Sequence, residues 1–204
     1  AQTPLEQRDH SRMLVIGKHS QQLEHKHFYD ILEYLQPGDC LVLNNSRVLP
    51  ARMYGKRTDT GAIVEFLLLH NHGNDEWEVI TGPGKKAKQG TSFVFGDGQL
   101  TCDVISVLDN GNRMAKFHYE GNSFYAVIDQ IGEMPLPHYI HERLENAERY
   151  QTVYSKEKGS AAAPTAGLHF TPDLLKKIED KGISIAYITL HVGIGTFRPV
   201  KTEN

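Results

Sequence analysis

Apolar positions recur along this chain with two different periods, and the change of period divides it. Over 28–35, Phe28, Ile31, Leu32 and Leu35 fall at i, i+3, i+4 and i+7, one face of a helix, and Pro37-Gly38 stops the run. Residues 40–43 read as a short apolar strand that ends in Asn44-Asn45-Ser46-Arg47, a polar loop at a strand's carboxyl end. Ligands of α/β sheets often sit at such ends, and ordinary turn chemistry accounts for the same residues equally well. Further on the pattern turns strand-like. Segments 62–69, 77–81, 91–95, 100–108 and 113–119 are rich in Val, Phe, Ile and Tyr, punctuated by Gly73-Asn74, Gly82-Pro83-Gly84, Gly96-Asp97-Gly98 and Asn110-Gly111. Five closely spaced strands with hairpin turns predict a small antiparallel barrel or sandwich, a unit of its own. A helix follows over 123–131, with Phe124, Val127, Ile128 and Ile131 on one face. Pro135-Leu136-Pro137-His138-Tyr139 is then extended, because proline turns both itself and its predecessor away from helix.

From 151 a helix-then-strand pattern returns. Thr171 suits an N-cap and Pro172 the first helical position; Leu174, Leu175 and Ile178 make the buried stripe, and Gly182 ends it. Residues 183–190 read as a buried strand running into the loop that carries His191. The expected fold class is an α/β domain with an inserted small antiparallel β-barrel domain. Residues 1–57 are its first part, 58–150 the inserted barrel and 151–204 the α/β domain continued.

Composition narrows the picture modestly. The 204 residues suffice for a real core, and 39% hydrophobic with 23% charged is ordinary for a soluble globular protein. A net charge of -3 excludes a global positive field, while leaving room for a local one; the dense basic cluster is Lys85, Lys86 and Lys88. Cys40 and Cys102, each flanked by apolar residues, read as buried thiols in a reducing compartment, and no Cys/His spacing suggests a metal site. No apolar run reaches membrane-spanning length and no signal peptide is visible, so the cytoplasm is the default. The chain opens at Ala1 without a methionine and closes soon after the His191 loop, so a piece of a longer protein is expected.

The candidate chemistry lies in two stretches of small residues, 161–172 and 189–199, each presenting a histidine. Small residues let a backbone approach a ligand closely, and a histidine beside them exchanges protons near neutral pH. His169 and His191 are therefore the catalytic candidates; the competing reading is a structural ring bonded to a backbone carbonyl. Thr165, Ala166 and Gly167 offer backbone N–H groups and a hydroxyl to a ligand, or simply form a tight turn before the helix. Gly193, Gly195 and Thr196 form a second such loop. Arg47, Arg52 and Arg198 carry guanidinium forks for a carboxylate or phosphate, and single arginines are also common in surface ion pairs.

Ala163-Pro164-Thr165-Ala166-Gly167-Leu168-His169-Phe170-Thr171 and Leu190-His191-Val192-Gly193-Ile194-Gly195-Thr196-Phe197-Arg198-Pro199 resemble the signatures of one family. It is the S-adenosylmethionine:tRNA ribosyltransferase-isomerases, the epoxyqueuosine-forming enzymes of queuosine synthesis. Pro4-Leu5-Glu6-Gln7-Arg8-Asp9, Asn44 to Arg52, Gly132 to Pro137 and Arg149 to Tyr154 fit the same family in the same order. Departures are His138, where the family pattern has proline, and Asn45-Ser46 in place of an Asp-Thr pair. The family's chains continue past this C-terminus into further α/β sequence.

The resemblance implies a reaction in which the ribosyl moiety of S-adenosylmethionine moves to 7-aminomethyl-7-deazaguanine at the wobble position of tRNA. Epoxyqueuosine forms there, and adenine and methionine leave. S-adenosylmethionine is a consumed substrate, no cofactor or metal is needed, and the partner is tRNA bound by a monomer. An α/β domain with a β-barrel is the implied fold. Substrate binding then falls to Thr165, Ala166, Gly167, Gly193, Gly195, Thr196, Arg198, Asn45, Arg47 and Arg52, and tRNA binding to Lys85, Lys86 and Lys88. Gln151 and Tyr154 lie in a family-like stretch and join the site candidates. Which histidine is the base stays open. Two other readings remain: another S-adenosylmethionine-dependent tRNA-modifying enzyme such as a methyltransferase, or a non-catalytic RNA-binding module. The first is disfavoured because Asn44-Asn45-Ser46-Arg47 stands where a glycine-rich turn would follow the first strand.

Overall fold

A computed structural model describes residues 2–18, 22–121, 123–136, 140, 142, 144 and 146–193. The chain divides into two compact units, one built from Ala1–Val48 with Pro137–Val192, the other from Leu49–Leu136 with Gly193. The fold is an α/β domain with a small antiparallel barrel.

The first unit begins with a hairpin, β1 (Arg12–Ile16) against β2 (Leu23–His27), and continues into a 3-10 turn at Phe28–Glu33. That turn replaces the expected helix over 28–35. Its stripe is nevertheless used as read: Phe28, Ile31, Leu32 and Leu35 all pack on the unit's core. The short run from Phe28 to Pro37 gives little room to recover the cost of nucleating an α-helix. Next come β3 (Cys40–Asn44) and β4 (Ser46–Val48), so the expected polar loop is interrupted by a short strand.

The barrel unit contains β5 (Arg52–Arg57), β6 (Ile63–Gly73), β7 (Glu76–Gly82), β8 (Ser92–Phe95), β9 (Leu100–Val107) and β10 (Arg113–Tyr119), closed in the order β10-β7-β6-β5-β8-β9. Six strands stand where the hydropathy pattern showed five, and the added one, β5, falls in residues that the pattern assigned to the α/β part. Period-two alternation sends Val64, Phe66 and Leu68 of β6 and Trp77 and Val79 of β7 inward. Gly55 of β5 makes room for Phe95: a Cβ there would lie 2.7 Å from its ring. Asn74 and Asp75, with φ of 51° and 59°, form the two-residue turn that joins β6 to β7, matching the right-handed strand twist. Helix α1 (Phe124–Ile131), capped by Ser123, adds Phe124 and Ile128 to the same core.

The chain then returns to the first unit through β11 (Glu157–Ser160), α2 (Pro172–Asp180) and β12 (Ser184–Ile188). Strand β12 runs parallel to β3, and β11 parallel to β4. Leu43, Phe170, Leu174, Ile178 and Ile183 form the core. Thr171 caps α2 by accepting the Leu174 N–H at 3.2 Å, and Gly182, at φ 86°, follows its end. The segment 183–190 is not buried as expected: Tyr187, Ile188 and Leu190 are 49%, 49% and 56% exposed. Its sequence is apolar on both faces, as parallel strands covered on both faces are, but β3 is its single strand neighbour among the described residues. Cys40, on that same pair, is exposed rather than buried, while Cys102 is buried in the barrel. Among the described residues no helix is long and apolar enough to cross a membrane.

Candidate functional site

Asn44 and Asn45 lie where the chain leaves one parallel pair and enters another, and they tie the His191-bearing stretch and the start of β11 to the sheet. The Asn44 side chain accepts the Leu190 N–H at 3.1 Å and donates to the Leu190 carbonyl at 2.8 Å. Asn45 donates its N–H to the Ile188 carbonyl at 2.9 Å, and its side-chain oxygen accepts the Thr189 hydroxyl at 2.7 Å. Its carbonyl accepts the Lys156 N–H at 2.8 Å on the other side. A strand-end amide pair therefore fixes 189–190 and the start of β11 together.

One step further the two small-residue stretches meet directly. The Ala161 N–H donates to the Val192 carbonyl at 2.9 Å. The buried Ser160 hydroxyl accepts the Val192 N–H at 3.0 Å and donates to the Ala162 carbonyl at 2.7 Å. His191 lies against Gly159, where a Cβ would come within 2.8 Å of its ring, and the φ of 144° there independently calls for glycine. The ring itself stays exposed.

His169 has a different setting. It ends a 3-10 turn at Thr165–His169, half-buried, with its ring 5.2 Å from that of Phe28. Thr165 and Ala166 are exposed, whereas Gly167 is buried beneath Tyr154, whose hydroxyl would stand 2.2 Å from an added Cβ. Burial, followed by the neighbouring Tyr187, pushes the Tyr154 phenol up to about 12. Its ring also contacts Phe170 at 6.3 Å.

Arg47, on β4, donates to the Ser155 hydroxyl at 3.0 Å and pairs with Glu148. Sequence reasoning named Arg8 within a motif and Gln151 as a site candidate, and missed that both organise this neighbourhood through main-chain bonds. Arg8 donates to the carbonyls of Gln151 at 2.6 Å, Glu148 at 2.8 Å and Leu168 at 3.4 Å, spanning both stretches of the family-like motifs. Burial, and then the charge of Arg149, lower its guanidinium from the ordinary value, with Glu148 pulling the other way. The Gln151 amide accepts the Val48 N–H at 3.0 Å and donates to the Val48 carbonyl at 2.8 Å, standing in for a paired strand. Gln151 is thus committed to the main chain. No sequence signal marks this use, because a side chain bonded to backbone leaves no periodicity.

Arg52 belongs to the barrel unit, where its main chain pairs with Glu133 in both directions and its Nε lies 3.8 Å from Glu65. Lys85, Lys86 and Lys88 are exposed on the connection between β7 and β8. Gly193 is exposed, with nothing within 4 Å of an added Cβ. Gly195, Thr196 and Arg198, together with His138 and Tyr139, lie outside the described residues. A cavity of about 650 Å³ opens on the barrel unit, lined by Gln99, Thr101, His118, Tyr119 and Gln130 among others. None of the sequence-predicted site residues lines it, and the histidine-bearing stretches are a better guide to chemistry than its volume. Among the described residues no group of His, Cys, Asp and Glu is arranged to hold a metal ion.

A family model described as "Queuosine biosynthesis protein" matches residues 1–204. Among solved structures the chain is similar to an S-adenosylmethionine tRNA ribosyltransferase from Thermotoga maritima. The two are 34% identical over 94% of this chain and 54% of that one, with a TM-score of 0.35. The chain thus spans about half the length of that relative.

Proposed function

The chain belongs to the queuosine biosynthesis protein family, and from that premise we propose that it is an S-adenosylmethionine:tRNA ribosyltransferase-isomerase. Its substrates are S-adenosylmethionine, which is consumed, and tRNA carrying 7-aminomethyl-7-deazaguanine at the wobble position. The observation that carries this reading is the direct joining of the two histidine-bearing stretches through Ala161, Ser160 and Val192. It brings the exposed His191 ring beside a run of small residues that a nucleoside can approach closely.

The sulfonium of S-adenosylmethionine acidifies the adjacent 5′ carbon. A base removes that proton, the ribose opens and adenine is expelled. The tRNA aminomethyl nitrogen then attacks, and methionine leaves as the epoxide closes. In this proposal His191 is the base, because its ring is exposed and backed by Gly159, whereas His169 is packed on Phe28 and shapes the pocket. Thr165 and Ala166, both exposed, take the nucleoside or the methionine carboxylate. Asn45 and Arg47 position these segments through bonds they already make. Arg52 and the three lysines meet tRNA, and the enzyme works as a cytoplasmic monomer without a cofactor.

Incubation with S-adenosylmethionine and tRNA bearing the deazaguanine base, followed by mass analysis, tests this. Epoxyqueuosine with matching adenine and methionine is the expected result. S-adenosylhomocysteine in their place would make the protein a methyltransferase, and unaltered tRNA bound equally well without S-adenosylmethionine would make it a binding module. His191→Ala should slow adenine release by about a hundredfold or more with tRNA binding retained. Near-normal release would remove this ring from the chemistry.

A further inference from the structure

The lysine-bearing connection of the barrel is built differently from a solvated charge cluster. Arg113 of β10 lies against its main chain and donates Nε to the Ala87 carbonyl at 2.9 Å, Nη2 to the Gly84 carbonyl at 2.6 Å, and Nη1 to the Gly111 carbonyl. A second guanidinium, that of Arg57, donates Nη1 to the Lys86 carbonyl at 3.1 Å. A side chain at Gly84 would displace the arginine, since a Cβ would stand 2.9 Å from Arg113 Nη2. Ala87 is fully buried in the barrel core. The segment is therefore pinned at three of its carbonyls and by one buried methyl, and Lys85, Lys86 and Lys88 are left exposed around it.

The charges are not balanced. Arg57 is paired with Asp59 at 2.7 Å. Arg113 spends its bonds on neutral carbonyls, and among the described residues no carboxylate ion-pairs with it or with the three lysines. Holding three lysines on one short, rigid segment with an arginine against it is unfavourable in isolation and becomes favourable beside a polyanion. We propose that 84–88 is a preshaped site for the RNA phosphate backbone, with Arg113 as the residue that positions its lysines. The inference rests on the reading of this chain as a tRNA-modifying enzyme.

The test is binding of an unmodified tRNA transcript across a range of salt concentrations. Each lysine–phosphate pairing that is removed should lower the salt slope by about 0.7–0.9. Replacing Lys85, Lys86 and Lys88 together with Ala should lower it by about three times that amount. Arg113→Lys keeps the charge and loses the fork, so it should weaken binding about three- to tenfold and flatten the slope as well. Gly84→Ala, which leaves the arginine present but displaced, should do the same. Emission from Trp77, the chain's one tryptophan and buried in the barrel core, reports whether each variant keeps its barrel. A triple-lysine variant with an unchanged slope overturns the site. Folded Arg113→Lys or Gly84→Ala variants that bind like the parent overturn the positioning role, and if Arg113→Lys loses its barrel Gly84→Ala decides. A parent chain that binds no tRNA overturns the functional reading as well, whereas one that modifies tRNA while the lysine variant matches it overturns this inference alone.

Discussion

Gly167 has space for a hydrogen and for nothing larger, because the Tyr154 hydroxyl occupies the position a Cβ would take. Gly167→Ala must push that ring, and with it the packing on Phe170 and Tyr187, at a cost of about 1–3 kcal/mol in urea unfolding. Removing the hydroxyl relieves the nearest clash, so Tyr154→Phe combined with Gly167→Ala should lose less than the two single changes summed. Strict additivity would mean that the two residues do not press on one another. Tyr154 also carries a pH signature. Its folded value is about 12, above the usual phenol value near 10, so the folded state holds the proton more tightly. Stability from this group is complete below the unfolded value and is lost as pH climbs from there through about 12. Tyr34, Tyr54 and Tyr119 are also raised, so alkaline titration followed by tyrosinate absorbance should show a spread of late ionisation that loses its last component in Tyr154→Phe. A full set that titrates together would contradict the burial of this ring.

Thr171 illustrates how much one cap supports. It accepts the Leu174 N–H and sits between the Gly167–Phe170 segment and α2, the helix whose Leu174 and Ile178 reach the core. Thr171→Ala should cost about 1 kcal/mol by urea unfolding, and Thr171→Ser much less. A neutral alanine variant would mean that packing alone sets where this helix starts. Both α-helices and β6 to β10 were legible in the sequence because period and caps agree there: Thr171-Pro172 opens one helix, and alternating Val64, Phe66 and Leu68 mark a strand. Strand β5 was not legible. Met53 is its one bulky inward side chain, beside Gly55, and that glycine is there to admit Phe95. The hairpin of β1 and β2 is exposed along most of its length, so no hydrophobic alternation betrays it. The site was legible as segments, through their small residues and histidines. Its fasteners, Asn44, Ser160 and Arg8, were not, because they act on backbone atoms far away in sequence.

The two units differ in how they depend on sequence-distant pairing. The α/β unit is discontinuous: its parallel pairs join β3 to β12 and β4 to β11 across the whole intervening barrel, which is entropically costly to bring together. The barrel's strands and core all come from one stretch, Leu49–Leu136, and the strands pair mostly with near neighbours in sequence. The barrel closes on itself, so it has no open strand edge to protect, and α1 supplies Phe124 and Ile128 to a core that is entirely its own. Leu49–Leu136 expressed alone should therefore fold. Trp77 should emit at short wavelength, with rings of Phe124 and Tyr125 at 5.2 Å and 6.3 Å, and unfold cooperatively in urea. Phe66→Ala in that fragment removes a ring in edge contact with both Phe93 and Phe95 and should cost about 3–5 kcal/mol. Truncating before Phe124 should cost more than the cavity of a single side chain, because it uncovers Trp77 and Phe117 together. A fragment that emits like free tryptophan and melts without cooperativity would show that the barrel needs the α/β unit to hold its shape.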